Sequence, residues 1–547
     1  MKNKLQKFLI VLITIFSLVN FASNEKVKAN TTAIQDPPRT LLVYDSLDEQ
    51  NNGQSVVETL ERLLMSMGQQ LTVISMQNYH KGMLLNGNYQ NVVTMINWPE
   101  MNFDNPDFDH DRQRFKGRKL HIGRNLTSSE KESFSGNWVD LNQQTFVLKG
   151  DHDYYKEQLG FQREIELLQN PTNGTTPYAT LISKSGDNKQ YPYALFSGNN
   201  AYIPYFNGKG ATLLASLQVI ARWLGVKGNY NPYITVMNFT PLSSFSVTEK
   251  FIQKLNEIEN NVIITTTSTL NNTCSRTFHN YIKFIKQMTK DNHGIIYLNV
   301  PSLNSADKGN NDTLGDIITQ EISIFVENAI FPLGISAPVY WNFDKYYQLN
   351  ALNFGNGMLF YNQEKDVYYH TKTQTSHAYP TTFFAIKHQD LYNVRWHING
   401  KYTEYTFPVP TALTYSFPES DKQVTKMFTE ITNDHFPPTD QYLGKFNTGI
   451  FTQTQNIQGK DGIITLNGVT VNNINFEAIQ NQIGREHKAV LNPAQRRFQM
   501  QKGFMGKIND ILIIIIGITL VVLIILLSMG RKLYLKMFRK QSQKKGK

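Results

Sequence analysis

Cysteine is all but missing from this chain of 547 residues. Cys274 is the single one, so no intrachain disulfide can form. Its position also removes an amidotransferase-type nucleophile, which has to sit on a strand–helix turn. A phosphate-cradling loop is missing as well, because DSLDEQNNG after the first strand matches no Gly-rich pattern. The body lacks net positive charge. Residues 1–29 hold five Lys against one Glu, and residues 531–547 hold eight Lys or Arg and no acid, so of the formal +10 the remaining chain keeps −2. Basicity confined to the two ends belongs to targeting and topology, and no nucleic-acid partner is expected. What the chain does have is 40% hydrophobic and 12% aromatic residues, enough for two or three packed domains and too much for disorder.

The ends read as addressing elements. Residues 1–29 place three Lys before an apolar core from Phe8 to Phe21 and close on Val27 and Ala29, the pattern of a secretory signal peptide, with an uncleaved anchor as the alternative. Export without disulfides points to a Gram-positive bacterial surface. Ile511–Met529 is an uncharged run of 19 residues, long enough for a transmembrane helix. A basic tail, 530–547, follows at once and is expected in the cytoplasm, where each basic residue gains about 1 kcal/mol from anionic lipid. The expectation is a single-pass protein of the cell membrane with a large extracellular part, a basic juxtamembrane stalk (484–508) and one C-terminal transmembrane helix.

Residues 40–226 alternate strand and helix. LLVYDS, QLTVISM and NVVTMINW are apolar strands, and helices close at Gly68 and Gly225. This rhythm predicts an α/β open parallel-sheet domain of flavodoxin- or amidotransferase-like type. Asp45, at the end of the first strand, is expected to organise its loop. Asp107, Asp109 and Asp111 have the alternate spacing of a calcium loop. The EF-hand positions for Gly and Glu hold Arg112 and Arg118, so a solvated acidic loop is expected and these three remain the weak metal candidates. A second acidic cluster is Asp151-His152-Asp153. No cofactor is expected.

From Tyr233 the strand–helix–strand grammar resumes. A strand at Ile234–Met237 precedes a helix with Phe251, Ile252, Leu255 and Ile258 on one face, then a strand at Val262–Thr266, a second helix, and GIIYLNVPSLN. In order and spacing this stretch resembles the polysaccharide deacetylase superfamily, most closely its branch of poorly characterised membrane-associated bacterial proteins. The resemblance implies a (β/α) barrel core over residues 230–365, with an adjacent Asp pair ending the first strand as base and metal ligand, and a His-Gly-x-x-His run completing the metal site. Here Asn238 and Phe239 stand at the Asp pair. Asn299, Val300, Pro301, Ser302 and Leu303 stand where the His run belongs, and His293-Gly294 precedes its strand. The implied chemistry is therefore absent: Asn238, Phe239, Asn299 and Leu303 are degenerate positions. Hydrolysis would have to recruit His370, His377, His388 or His397.

Residues 366–490 alternate Tyr, Thr, Val and Phe with polar residues and are expected to be β-rich, either completing the barrel or forming a small β domain. Flat aromatic rings and amides suit sugar recognition, which makes Asn238, Asn299, Tyr340, Trp341, Asn342 and Tyr346 the glycan-binding candidates, with Phe343 and Tyr347 close by. The expected function is a catalytically inactive surface component of exopolysaccharide or cell-wall polysaccharide biosynthesis that holds the polymer. The rivals are an active glycan deacetylase or hydrolase with a displaced site and a structural partner of a membrane glycosyltransferase.

Overall fold

Runs of four to eight residues rich in β-branched and aromatic side chains set most of the longer strands, and shorter pairings of two or three residues supplement them. In chain order they are β1 (Arg39–Tyr44), β2 (Gln70–Ser75), β3 (Asn91–Met95), β4 (Arg118–Ile122), β5 (Asn137–Gln144), β6 (Phe146–Lys149), β7 (Lys156–Gln158), β8 (Gln162–Gln169), β9 (Thr176–Ser183), β10 (Gln190–Ser197) and β11 (Asn200–Ile203). A second series comprises β12 (Tyr233–Phe239), β13 (Val262–Thr266), β14 (Gly294–Asn299), β15 (Gly334–Pro338), β16 (Gly357–Tyr361), β17 (Gln374–Thr375), β18 (Thr381–Lys387), β19 (His397–Ile398), β20 (Lys401–Tyr402) and β21 (Thr411–Ser416). The last are β22 (Thr448–Phe451), β23 (Asn456–Lys460), β24 (Ile463–Leu466) and β25 (Val469–Thr470). The structure is a computed structural model. It describes residues 36–47, 53–98, 105–151, 154–185, 188–258, 262–267, 273, 275–289, 294–300, 311–362, 374–398, 401–402, 405–433 and 446–471. The chain divides into two units at Ile474, and all described residues lie in the first.

The first sheet has ten strands in the order β17-β2-β1-β3-β4-β11-β10-β9-β6-β7. Strands β2, β1, β3, β4 and β11 are parallel. From β11 onward the pairing turns antiparallel. Asp45 ends β1 and accepts N–H bonds from Ser46, Asn97 and Trp98 at 2.7, 2.7 and 2.8 Å, which ties the β1 and β3 ends together. The Gly53–Ser66 and Gly210–Leu224 helices pack on the sheet. The second ends at Gly225, whose φ of +77° suits a residue without Cβ, while Val226 N donates to Ala221 O at 2.8 Å.

Seven strands, β12-β13-β14-β15-β16-β18-β21, close into a barrel, and every neighbouring pair is parallel. Tyr233, Tyr297, Phe383 and Phe446 meet edge to face inside it, with ring centroids 5.4 to 5.9 Å apart around Phe383.

The expected fold class is corrected on three points. The first sheet is mixed, not an open parallel one, because hydrophobic strands at β9–β11 follow each other through turns too short for a parallel crossover. The barrel also departs from the expected deacetylase-like (β/α) alternation. Strands β18 and β21 belong to the barrel, and the β18–β21 connection carries a 3-10 turn and the β19–β20 ribbon, without an α-helix among its described residues. The Gly53–Ser66 helix of the first sheet packs there instead. Arg62 donates from it to Asn362 Oδ1 at 2.7 Å and to the Ala385 carbonyl of β18, and Asn362 Nδ2 donates back to Ser55 Oγ at 3.0 Å.

The third point is the transmembrane helix. No described helix is long and apolar enough to cross a membrane. The longest, Asn311–Glu327, has 17 residues and carries Asp316, Glu321 and Glu327. It spans only about 26 Å against a hydrocarbon core of about 30 Å. The expected single-pass membrane localisation is corrected with it. The run Ile511–Met529, the signal segment 1–29, the stalk and the basic tail lie outside the described residues.

Candidate functional site

A parallel barrel gathers its strand ends at one mouth, so the residues closing β12, β14 and β16 are neighbours whatever their separation in sequence. Three of them are linked. Asn299 Nδ2 donates to Asn238 Oδ1 at 3.2 Å, and the Tyr361 hydroxyl donates to Asn299 Oδ1 at 3.4 Å.

Asn238 reaches this position through an irregularity. The register of β12 against β13 shifts between Val236 and Phe239, and Asn238 takes a φ of +65°, in the left-handed region that Asn tolerates better than most residues. Its N–H is held by Thr265 Oγ1 at 3.0 Å, and its side chain is exposed while the other six residues of the strand are buried. Asn299 arrives by ordinary alternation. Tyr297, two residues earlier, faces the barrel interior, so Asn299 follows on the same side at the rim.

The group is neutral. Two carboxamides and a phenol offer donors and acceptors together, and an amide neither ionises nor takes up a proton near neutral pH. The arrangement is suited to binding hydroxyl groups.

The remaining expected site residues lie elsewhere. Phe239 is core, with its ring 5.3 Å from Tyr281 and 4.9 Å from Phe417. Trp341 and Asn342 are completely buried. Trp341 stacks on Tyr347 at 4.2 Å. Asn342 binds the backbone of His377 both ways, donating to its carbonyl at 2.9 Å and accepting its N–H at 3.1 Å. These two residues join the barrel to the first sheet and leave no face for a glycan. Tyr340 and Tyr346 are half-buried beside them. His388 lies flat on Tyr415 at 4.8 Å, with Glu430 3.8 Å away. Leu303, His370 and Asp153 lie outside the described residues.

The calcium-like spacing falls on a helix, Pro106–Arg114, capped by Asn105. Two residues along a helix are about 200° apart, so Asp109 points away from the face that Asp107 and Asp111 share. Asp107 and Asp109 are exposed, while Asp111 is buried and accepts the Tyr79 hydroxyl at 2.7 Å. Among the described residues no group of three His, Cys, Asp or Glu side chains is placed to hold a metal ion.

Two features escaped the sequence reading. Tyr361 closes GMLFY, and its place at a strand end was a readable signal. Glu321 was not readable, because its helix looks acidic and solvated. It is buried, accepts from Thr267 Oγ1 at 3.1 Å just past the end of β13, and leaves Oε2 without a hydrogen-bond partner among the described residues. Burial lifts its pKa from the usual 4.5 to about 8, against the opposing bond from Thr267.

No protein-family profile matches the chain, and no curated protein matches it. Eight chains of solved structures do. One, a putative ThuA-like protein from Parabacteroides merdae, is 14% identical, with 31% of this chain and 79% of that chain covered and a TM-score of 0.21. A score that low carries no argument about function.

Proposed function

We propose that the mouth of the barrel binds a neutral, hydroxyl-rich glycan, an exopolysaccharide or cell-wall polymer, and holds it without cutting it. The observation that carries this reading is the linked set Asn238, Asn299 and Tyr361 at the strand ends. Amides and phenols recognise sugar hydroxyls, and the set holds no carboxylate or imidazole to activate water.

The test is calorimetric titration of the purified chain with neutral oligosaccharides, N-acetylglucosamine oligomers and their deacetylated forms among them. Saturable binding is expected. Removing one neutral hydrogen bond by Asn299→Ala or Tyr361→Phe should weaken it by about two- to tenfold. Acetate release from the acetylated oligomers, or affinities unchanged in both variants, would overturn the reading.

A further inference from the structure

The first sheet carries a second polar site, far from the barrel residues in topology. A cleft of about 210 Å³ lies over β4 and β11, beneath the Pro106–Arg114 and Ser128–Lys131 helices. That is enough for a small solute.

On the helix side, Arg112 and Glu130 form a buried ion pair. Glu130 is saturated: Oε1 also meets His121 Nδ1 at 2.9 Å, and Oε2 accepts the Thr127 N–H at 2.7 Å and its hydroxyl at 3.0 Å. Its lone pairs are therefore spent inside the protein. On the sheet side, Lys119 of β4 and Asn200 of β11 line the cleft, with Gln113 beside them. Asn200 and Lys119 are register partners on adjacent parallel strands, so both reach the cleft from one level of the sheet. Burial lowers the pKa of Lys119, and the positive charges of Arg112 and Lys116 add to the effect. Asp109 lines the rim and offsets part of the Arg112 charge.

A lysine ammonium with two amides alongside, next to a carboxylate already occupied by Arg112, His121 and Thr127, fits an oxyanion. We propose that this cleft binds a small solute bearing a carboxylate or phosphate group, with Lys119 as the charged contact and Asn200 and Gln113 as hydrogen-bond donors.

The experiment titrates the purified full chain with inorganic phosphate and, separately, with glucuronate, at fixed ionic strength in chloride. Saturable one-to-one binding of at least one probe is expected, and the preferred probe identifies the phosphoryl or carboxylate source. Losing a hydrogen bond to a charged group should make Lys119→Met bind at least about tenfold more weakly, while Lys119→Arg stays within about threefold. Asn200→Asp places a carboxylate at the anion and should abolish binding. Thermal unfolding shows which variants are folded, and Asn200→Asp decides alone if Lys119→Met is not. Failure of both probes to saturate, or wild-type affinity in either folded variant, would overturn the proposal.

Discussion

At the scale of single residues, Asn238 and Asn342 look alike in sequence and differ in role. Both are amides at the ends of barrel strands or just beyond. The backbone separates them: Asn238 is turned outward by a left-handed residue in a shifted register, while Asn342 is swallowed by a 3-10 turn, Val339–Phe343, against the first sheet. The conformation of Asn238 makes a prediction independent of any ligand. Asn238→Gly keeps the fold, with stability within about 0.5 kcal/mol, because glycine enters the left-handed region without penalty. Asn238→Val forces a β-branched side chain into it and should cost about 1–2 kcal/mol. Denaturant unfolding of the two variants checks this; equal stabilities would mean that the register shift relaxes.

At the scale of elements, the Asn311–Glu327 helix carries a buried titration. The folded pKa of Glu321 is raised to about 8 from 4.5. Between these values the folded protein keeps a proton that the unfolded chain has released, so stability is lost as pH rises from about 4.5 and levels off above about 8. The slope from this group is at most about 1.4 kcal/mol per pH unit. Glu321→Gln, neutral at every pH, should flatten the stability profile between pH 5 and 8 and be more stable than wild type at pH 8. Parallel profiles for the two would rule the titration out.

The sequence made many elements legible and their partners less so. Gly68 and Gly225 marked helix ends because only local geometry is involved there, and both have positive φ. The apolar strands could be read from Leu41–Tyr44 or Ile295–Leu298 in the same way. The antiparallel half of the first sheet could not, because a short apolar run such as Ala201–Ile203 is equally suited to either direction. Asn238 and Asn299 were legible as a site because strand ends converge. Lys119 and Arg112 were not, since one lies on a strand and the other on a helix read as a loop.

At the scale of the molecule, the two sheets are bound together. Arg62, Asn342 and Asn362 cross between them, and β17, downstream of five barrel strands, pairs antiparallel with β2 through Gln374 and Thr375. Ser376 continues the join, donating to the Leu71 carbonyl at 2.8 Å and accepting the Leu71 N–H at 2.9 Å. Such coupling predicts one cooperative transition for the described residues. Far-UV circular dichroism and tryptophan fluorescence should give coincident denaturant midpoints, since Trp98 and Trp223 report on the first sheet and Trp341 on the barrel. Two separated midpoints would show that the sheets unfold independently.

The β17–β2 pairing also sets a clock on the ribosome. Thr72 and Thr375 are 303 residues apart. At a synthesis rate of about 5–20 residues per second, that interval is roughly 15–60 s. Throughout it β2, with Leu71, Val73 and Ile74, is the bare outer strand of the nascent sheet, a template for pairing with another chain. The two residues of β17 thus act late in synthesis as a cover for an edge made early, and truncated chains that stop before Thr375 emerge with that edge open.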